Sequence, residues 1–227
     1  MVNVDTVYQR VLALANKEQR GYITPLEFNL LANQAQLDIF EQYFYDINQF
    51  ATIDDIGAEY SDAVDTLEEK ISIFETSAVV PGGTTLPSNL YRLGTVILGN
   101  ANEVEQIEQK KFLYINSSPL TVSTNRRPIY TRSGNSISVY GDGGYQISTG
   151  IRCNYVKQPN SVNWGYNVVV DKALYNASMS TNFELHNAEE TKLVIKILEL
   201  AGIVVNKPGL VSIAAQKEAS KLQQEKS

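Results

Sequence analysis

The feature that most constrains this chain is its order of patterns: a β-patterned middle, about residues 84–166, lies between two helix-patterned flanks. Helical flanks around a run of strands favour one helical body with an inserted lobe over a series of separate domains. The sequence therefore predicts an α+β fold. We expect a helical body of residues 1–80 with 183–209, an inserted antiparallel β-rich lobe of residues 81–182, and an extended C-terminal tail of residues 210–227.

Composition permits a packed core and argues against several classes of protein. The chain has 227 residues, of which 43% are hydrophobic, and this is enough for a globular core. The net charge of −6 and the lack of a basic block argue against tight, general binding to phosphate backbones. One cysteine cannot form an internal disulfide. Because no apolar leader and no apolar run of ~20 residues is visible, we expect cytoplasmic folding and no membrane association.

Two helices are predicted near the N-terminus. Asp5 is placed to cap the first helix, and Gly21 is placed to end it. The second helix begins with Thr24-Pro25-Leu26-Glu27, where Thr at the N-cap, Pro at the first position and Glu at the third form a capping box. Its two apolar stripes predict burial on two sides, or burial on one side and a partner chain on the other. The first stripe is Leu30, Leu37, Phe40, Phe44 and Ile47, and the second is Phe28, Leu31, Ala35 and Ile39.

The middle of the chain begins after an acidic segment, residues 53–70, whose weak helical period predicts a solvated helix. A strand is expected before about Glu108 and a short helix after it. A strand–turn–strand is expected around Ser133-Gly134-Asn135. Asp142-Gly143 predicts a type I′ hairpin turn, and a last strand contains Cys153.

The C-terminal flank is less uniform. Residues 168–170 fit a strand and residues 174–181 fit a loop. Asn187-Ala188-Glu189-Glu190 predicts the cap of a helix that Gly202 ends. After a break at Lys207-Pro208-Gly209, the tail has a thin apolar stripe and a polar end, so it either frays or docks on a partner.

The titratable residues form no catalytic pattern. His186 is the only histidine and is expected to be a surface or capping residue. Gly141-Asp142-Gly143-Gly144 lacks the phosphate-loop pattern and fits a hairpin. For Arg126-Arg127, a charge pair at a hairpin base is favoured over a contact with phosphate or with an acidic neighbouring subunit. We therefore expect no enzyme activity, no metal and no cofactor.

Several segments, which together cover most of the chain, resemble virion structural proteins of short-tailed bacteriophages. They contain Thr24-Pro25-Leu26-Glu27-Phe28, Leu86-Pro87-Ser88-Asn89-Leu90, Arg127-Pro128-Ile129-Tyr130-Thr131 and Phe183-Glu184-Leu185-His186. The order of helices, inserted β lobe, helix and loose tail also resembles head-to-tail adaptors of the tail tubular protein A type and the neck-ring proteins of crAss-like phages.

The resemblance implies a homo-oligomeric ring, commonly dodecameric, in the neck of a virion that is assembled in the host cytoplasm. Such a ring joins the portal to the tail, and genomic DNA passes through it without sequence-specific binding. On this hypothesis the helical body forms the ring, the tail binds the portal, and the β lobe meets a downstream tail or ring protein. The residues expected to contact a neighbouring ring subunit are Phe28, Leu31, Phe40 and Phe44. The residues of this chain expected to contact the portal are Leu210, Val211 and Leu222.

Other function classes stay open. A different structural part of the virion is one. A second is a tail-associated binding protein that stacks a host surface glycan on the aromatic residues Tyr91, Tyr130, Tyr140, Tyr145, Tyr155 and Trp164. A cell-wall hydrolase is disfavoured, because the chain has one histidine and no paired carboxylate motif.

Overall fold

The computed structural model describes residues 1–17, 23–51, 58–99, 102–170 and 172–204. It confirms the α+β class. The chain divides into two compact units: a helical unit, Met1–Ile73 with Pro159–Ser227, and a sheet unit, Phe74–Gln158. The expected helix end at Gly21 and the tail of residues 210–227 lie outside the described residues.

The helical unit contains four helices and a short hairpin among its described residues. The helices are α1 (Val4–Lys17), α2 (Pro25–Ala51), α3 (Ala58–Ser72) and α5 (Glu190–Val204), and the hairpin pairs β8 (Tyr166–Val169) with β9 (Lys172–Tyr175). Helix α5 packs on α1 and α2, and α3 packs on α2. The buried side chains of these helices include Val7, Tyr8, Val11, Phe28, Ala32, Ile39, Phe40, Leu193 and Ile197.

The helix starts show which caps the sequence predicted correctly. The capping box of α2 is confirmed: the Thr24 backbone N–H donates to Glu27 Oε2 at 2.9 Å, and the Glu27 N–H donates to Thr24 Oγ1 at 3.3 Å. The predicted cap of α1 is wrong. Asn3 Oδ1, not the Asp5 carboxylate, accepts from the backbone N–H groups of Asp5 and Thr6, at 2.8 and 3.1 Å.

The start and end of α5 also differ from the prediction. A 3₁₀ turn, Asn187–Glu189, precedes the helix, and its cap is His186, whose Nδ1 accepts from the Ala188 N–H at 3.2 Å. The Asn187 side chain instead accepts from the amino terminus of Met1 at 2.9 Å. Gly202 does not end the helix, which continues to Val204.

The sheet unit is built on one curled seven-stranded sheet in the order β1-β7-β2-β3-β4-β5-β6. The strands are β1 (Glu75–Val79), β2 (Leu90–Leu98), β3 (Asn102–Gln106), β4 (Ile129–Ser133), β5 (Ser136–Tyr140), β6 (Gln146–Ile147) and β7 (Ile151–Lys157). The predicted lobe was purely antiparallel, and this is wrong at one pair, because β3 and β4 run parallel. A parallel pair needs a long crossover, and α4 (Gln109–Ser117) lies in it, where the sequence predicted a short helix.

The division into units differs from the predicted bounds of 81 and 182. Strand β1 pairs with β7 along its whole length, from Glu75↔Val156 to Val79↔Arg152, so residues before 81 belong to the sheet. At the other end, the chain from Pro159 onward belongs with the helices.

The β5–β6 hairpin forms, but, contrary to the sequence prediction, Asp142-Gly143 is not the central pair of a type I′ turn. A type I′ turn needs a positive φ at both central residues, and Asp142 does not have one; the positive φ values lie one residue later, at Gly143 (69°) and Gly144 (76°). Residues Asp142–Gly144 form a 3₁₀ turn instead, closed by the Gly144 N–H donating to the Gly141 oxygen at 2.9 Å. A Cβ on Gly144 would overlap the Asn116 side chain, so this turn packs closely beside α4.

Candidate functional site

Helix α2 presents apolar side chains to solvent on a face separate from its buried one. Leu26, Leu30, Leu37 and Phe44 follow each other at spacings of four, seven and seven residues, which places them along one side of the helix. Leu26 and Leu30 are each 68% exposed, while Leu37 and Phe44 are half-buried. We call these four residues the outer α2 strip. A row of exposed apolar side chains of this kind is typical of a contact surface.

The residues predicted for the subunit interface fall into two groups. Phe28 and Phe40 are fully buried within the chain, and the Phe28 ring lies 4.6 Å from the Tyr8 ring. They have no surface to offer a neighbouring subunit, because the core of the helical unit already uses it. Leu31 and Phe44 are half-buried and keep part of their surface. Leu26 and Leu30, the exposed leucines of the outer α2 strip, were not among the predicted contacts.

Polar side chains of α2 hold the extended segment that follows the sheet unit. Asn33 Nδ2 donates to the Val162 oxygen at 2.8 Å, and Asn33 Oδ1 accepts from the Val162 N–H at 2.8 Å. Asn29 makes the same pair of bonds to the backbone of Trp164, at 3.3 and 2.7 Å. One turn later, Gln36 Nε2 donates to the backbone oxygen of Asn160 at 2.8 Å. The Asn29 and Asn33 side chains therefore satisfy the backbone of this segment as a neighbouring β-strand would. No local sequence signal indicated this contact.

Trp164 is the centre of an aromatic cluster in the helical unit. Its indole Nε1 donates to Asp5 Oδ1 at 2.9 Å, and its ring lies 4.4 Å from Tyr8, 5.8 Å from Tyr166 and 5.7 Å from Tyr175. Tyr166 and Tyr175 face each other at the base of the β8–β9 hairpin. The cluster therefore anchors the hairpin on the helices.

The far end of that hairpin is exposed and apolar. Val168 is 67% exposed, and Val170 is 89% exposed at a φ of 50°. A β-branched residue rarely adopts this left-handed conformation, so the turn carries local strain. Such a short two-stranded hairpin is marginally stable by itself and depends on its aromatic anchor.

A buried ion pair joins three elements of the helical unit. Lys70 Nζ on α3 lies 2.8 Å from Glu189 Oε1, and the two side chains are 20% and 5% exposed. The same ammonium lies 5.8 Å from the centre of the Tyr43 ring on α2. Burial, followed by the nearby Glu189 carboxylate, raises the pKa of Tyr43 above its ordinary value, so the phenol stays neutral. The arrangement fixes α3 against α2 and the start of α5.

The sheet unit contains a polar cleft beside a bulge in β2. The cleft has a volume of about 510 Å³, and β2 shifts its register against β7 between Leu93 and Val96 at this place. Its charged lining residues are Arg126, Arg127, Glu103 and Glu105. The arginine pair that the sequence singled out therefore lies in a cleft, at a turn that precedes β4, and not merely at a hairpin base.

The aromatic residues of the glycan hypothesis do not form one exposed platform. Tyr130, Tyr155 and Trp164 are buried, and Tyr140 packs against the Phe112 ring at 4.1 Å. Trp164 also belongs to the helical unit, outside the sheet. Tyr91 and Tyr145 are the members of the set that are exposed.

The remaining candidate residues have structural positions. His186 caps a turn, as expected. Cys153 is buried in β7, and burial raises the pKa of its thiol, so the reactive thiolate is disfavoured. Leu210, Val211 and Leu222 lie outside the described residues. Within the described ranges, no group of three or more His, Cys, Asp or Glu side chains is arranged to hold a metal ion.

Comparison with known proteins gives no family for this chain. No protein-family model matches it, and no curated protein matches it. In the part of the chain that the structure describes, no helix is long and apolar enough to cross a bilayer.

Proposed function

We propose that this protein is a virion structural protein of a short-tailed bacteriophage that forms a homo-oligomeric ring between the portal and the tail. The outer α2 strip is the observation that carries the proposal. Helix α2 buries one face in its own unit and leaves Leu26 and Leu30 each 68% exposed on another. A subunit that functions alone gains nothing from such a strip, whereas a ring subunit buries it against a neighbour.

The two units divide the work of the ring. The helical unit makes contacts between subunits, and the tail of residues 210–227 binds the portal through Leu210, Val211 and Leu222. The sheet unit contacts the next tail or ring protein. Genomic DNA passes through the channel, and the net charge of −6 supports passage without adhesion. The ring is located in the virion neck after assembly in the host cytoplasm.

Light scattering of the purified chain, alone and mixed with its cognate portal protein, tests the proposal. We expect a closed ring, either in the chain alone or on the portal, with one chain per portal subunit. A stable trimer that ignores the portal would overturn the proposal and favour a receptor-binding tail protein, in which Tyr91 and Tyr145 offer the exposed aromatic surface for a glycan.

A matched pair of variants tests the outer α2 strip. Leu30→Asp places a charge in the proposed contact and is expected to prevent ring formation while the monomer stays folded. Leu113→Asp on α4 is the control, because Leu113 is 71% exposed, close to the 68% of Leu30, but lies in the sheet unit. If Leu30→Asp assembles as well as Leu113→Asp, the strip is not the contact between subunits.

A further inference from the structure

The overall net charge of −6 is the sum of two parts of the chain whose net charges have opposite signs. The sheet unit has eight basic and five acidic residues, a net charge of +3, while the rest of the chain has eleven basic and twenty acidic residues, a net charge of −9. Ten acidic residues and no basic residue occur from Asp38 to Glu69. A chain with this division offers complementary surfaces to a second copy of itself.

The turn that carries Arg126 and Arg127 is held rigidly. The Asn125 N–H donates to Asp142 Oδ1 at 2.7 Å, and Asn125 Nδ2 donates to Asp142 Oδ2 at 2.6 Å. Thr124 and Arg127 exchange backbone hydrogen bonds of 3.3 and 3.0 Å across the turn. Because the backbone is already fixed, less entropy is lost when the guanidinium groups bind a ligand.

Both arginines are available for an external ligand. Each is exposed, and neither forms an ion pair with any residue in the described ranges. Two adjacent guanidinium groups offer planar, bidentate recognition of anionic oxygens. The ligand of this turn therefore carries carboxylate or phosphate groups.

The rest of the cleft selects between these two anions. Glu103 and Glu105 also line it, and their carboxylates repel the continuous charge of a nucleic-acid backbone. A protein surface can instead place single carboxylates on Arg126 and Arg127 and keep neutral or basic groups near the glutamates. At about 510 Å³ the cleft has room for a few side chains.

We propose that the Arg126–Arg127 cleft of one subunit receives carboxylates from α3 of a second copy of this chain. Asp65, Glu68 and Glu69 on α3 are exposed, and their spacing of three and four residues places them along one side of the helix. Each chain has one exposed arginine pair in this cleft and one acidic helix face, so copies join head to tail, which is the type of contact that closes into a ring. This inference rests on the proposed ring and adds a second contact to it.

Charge reversal on each side gives a complementation test. Variant one is Arg126→Glu/Arg127→Glu, and variant two is Asp65→Lys/Glu68→Lys/Glu69→Lys. Each alone has two like-charged surfaces at every contact and is expected to assemble at least ~tenfold more weakly than the wild type. When the two variants are mixed, they should alternate in the assembly. The acidic cleft of variant one then meets the basic α3 of variant two, and the unchanged cleft of variant two meets the unchanged α3 of variant one. The mixture is expected to recover assembly, measured by light scattering with the portal present.

A control with the same change of charge is Lys110→Glu/Lys111→Glu on α4, outside the cleft, which is expected to assemble normally. If a variant misfolds, wild-type protein still tests the idea: salt raised from about 0.1 to about 1 M shortens the screening length from about 10 to about 3 Å and should weaken assembly. Assembly that is unchanged by salt, by variant one and by variant two overturns the inference.

Two further outcomes distinguish this inference from the proposed function and from a phosphate-binding site. If the wild type forms no ring alone or on the portal, the proposed function fails. If it forms rings and variant one does too, but variant one loses binding of a random-sequence DNA duplex that the wild type binds, the cleft is a phosphate site and the inference fails alone.

Discussion

Replacing Lys70 with methionine should destabilise the helical unit, because it leaves a buried carboxylate without its partner. Lys70 Nζ lies 2.8 Å from Glu189 Oε1, and the Glu189 side chain is 5% exposed. Removing one member of a buried ion pair costs about 3–5 kcal/mol. Since Lys70 is 20% exposed, we expect the lower end of the range, about 3 kcal/mol, which for a chain of this size lowers Tm by about 6–12 °C.

Urea unfolding followed by tryptophan fluorescence measures the effect in the correct unit. Trp164 is the only tryptophan, is 2% exposed and lies in the helical unit, so its emission reports that unit's unfolding. The double variant Lys70→Met/Glu189→Leu removes both charges and should recover most of the lost stability. The resulting double-mutant cycle isolates the energy of the pair.

Arg10→Met is the matched control. Arg10 Nη1 also lies 2.8 Å from a carboxylate, that of Glu190, but the side chains are 54% and 29% exposed. Water screens that pair, and its loss should cost about 0–1 kcal/mol. Equal losses in Lys70→Met and Arg10→Met, or a double variant no more stable than Lys70→Met, would show that burial does not govern the pair.

Two further effects follow from single hydrogen-bonding side chains. Asn33→Ala removes both hydrogen bonds to the Val162 backbone and should lower the free energy of unfolding by about 1–3 kcal/mol in the same urea assay. Gln34→Ala, on the exposed side of the helix, should lower it by less than about 0.5 kcal/mol. Equal losses in the two variants would refute the role of Asn33. Hydrogen bonds from the Thr24 backbone N–H and hydroxyl lower the pKa of Glu27 in the folded chain. The cap is therefore complete above the ordinary glutamate pKa and is lost as the pH falls through the lowered value. The amide NMR signal of Thr24 should titrate below the ordinary glutamate range, and a midpoint at or above that range would contradict the assignment.

Local sequence signals predicted the elements whose hydrogen bonds close within a few residues. The capping box of Thr24 and Glu27 and the hairpin around Gly134 both formed as expected. The errors at Asp5 and Asn187 have one cause. More than one polar side chain stood near each helix start, and contacts with distant residues, Trp164 Nε1 on Asp5 and the Met1 amino group on Asn187, decided which one capped.

The candidate surfaces were only partly predictable. The two stripes of α2 predicted burial on two sides, or on one side with a partner chain on the other, but periodicity did not tell which apolar residues the core would bury. The structure buries Phe28, Ala35 and Ile39 of the second stripe but divides the first stripe, in which Phe40 is buried and Leu30 is exposed. Likewise, the sequence showed that Arg126-Arg127 is a basic point of the chain. The cleft around these residues depends on β3, which pairs with β2 along its first part and with β4 along its last two residues.

By itself, the sequence determined the α+β class, the order of helices and strands, and the acidic character of the segment before the sheet. These properties depend on side-chain period, turn residues and charge, which are local. Tertiary structure alone decided that β1 joins β7, that β3 and β4 run parallel, and that Asn29 and Asn33 bind a segment more than a hundred residues away. Such pairings are set by which distant groups can satisfy each other's hydrogen bonds and bury each other's surface, and no local pattern encodes that choice.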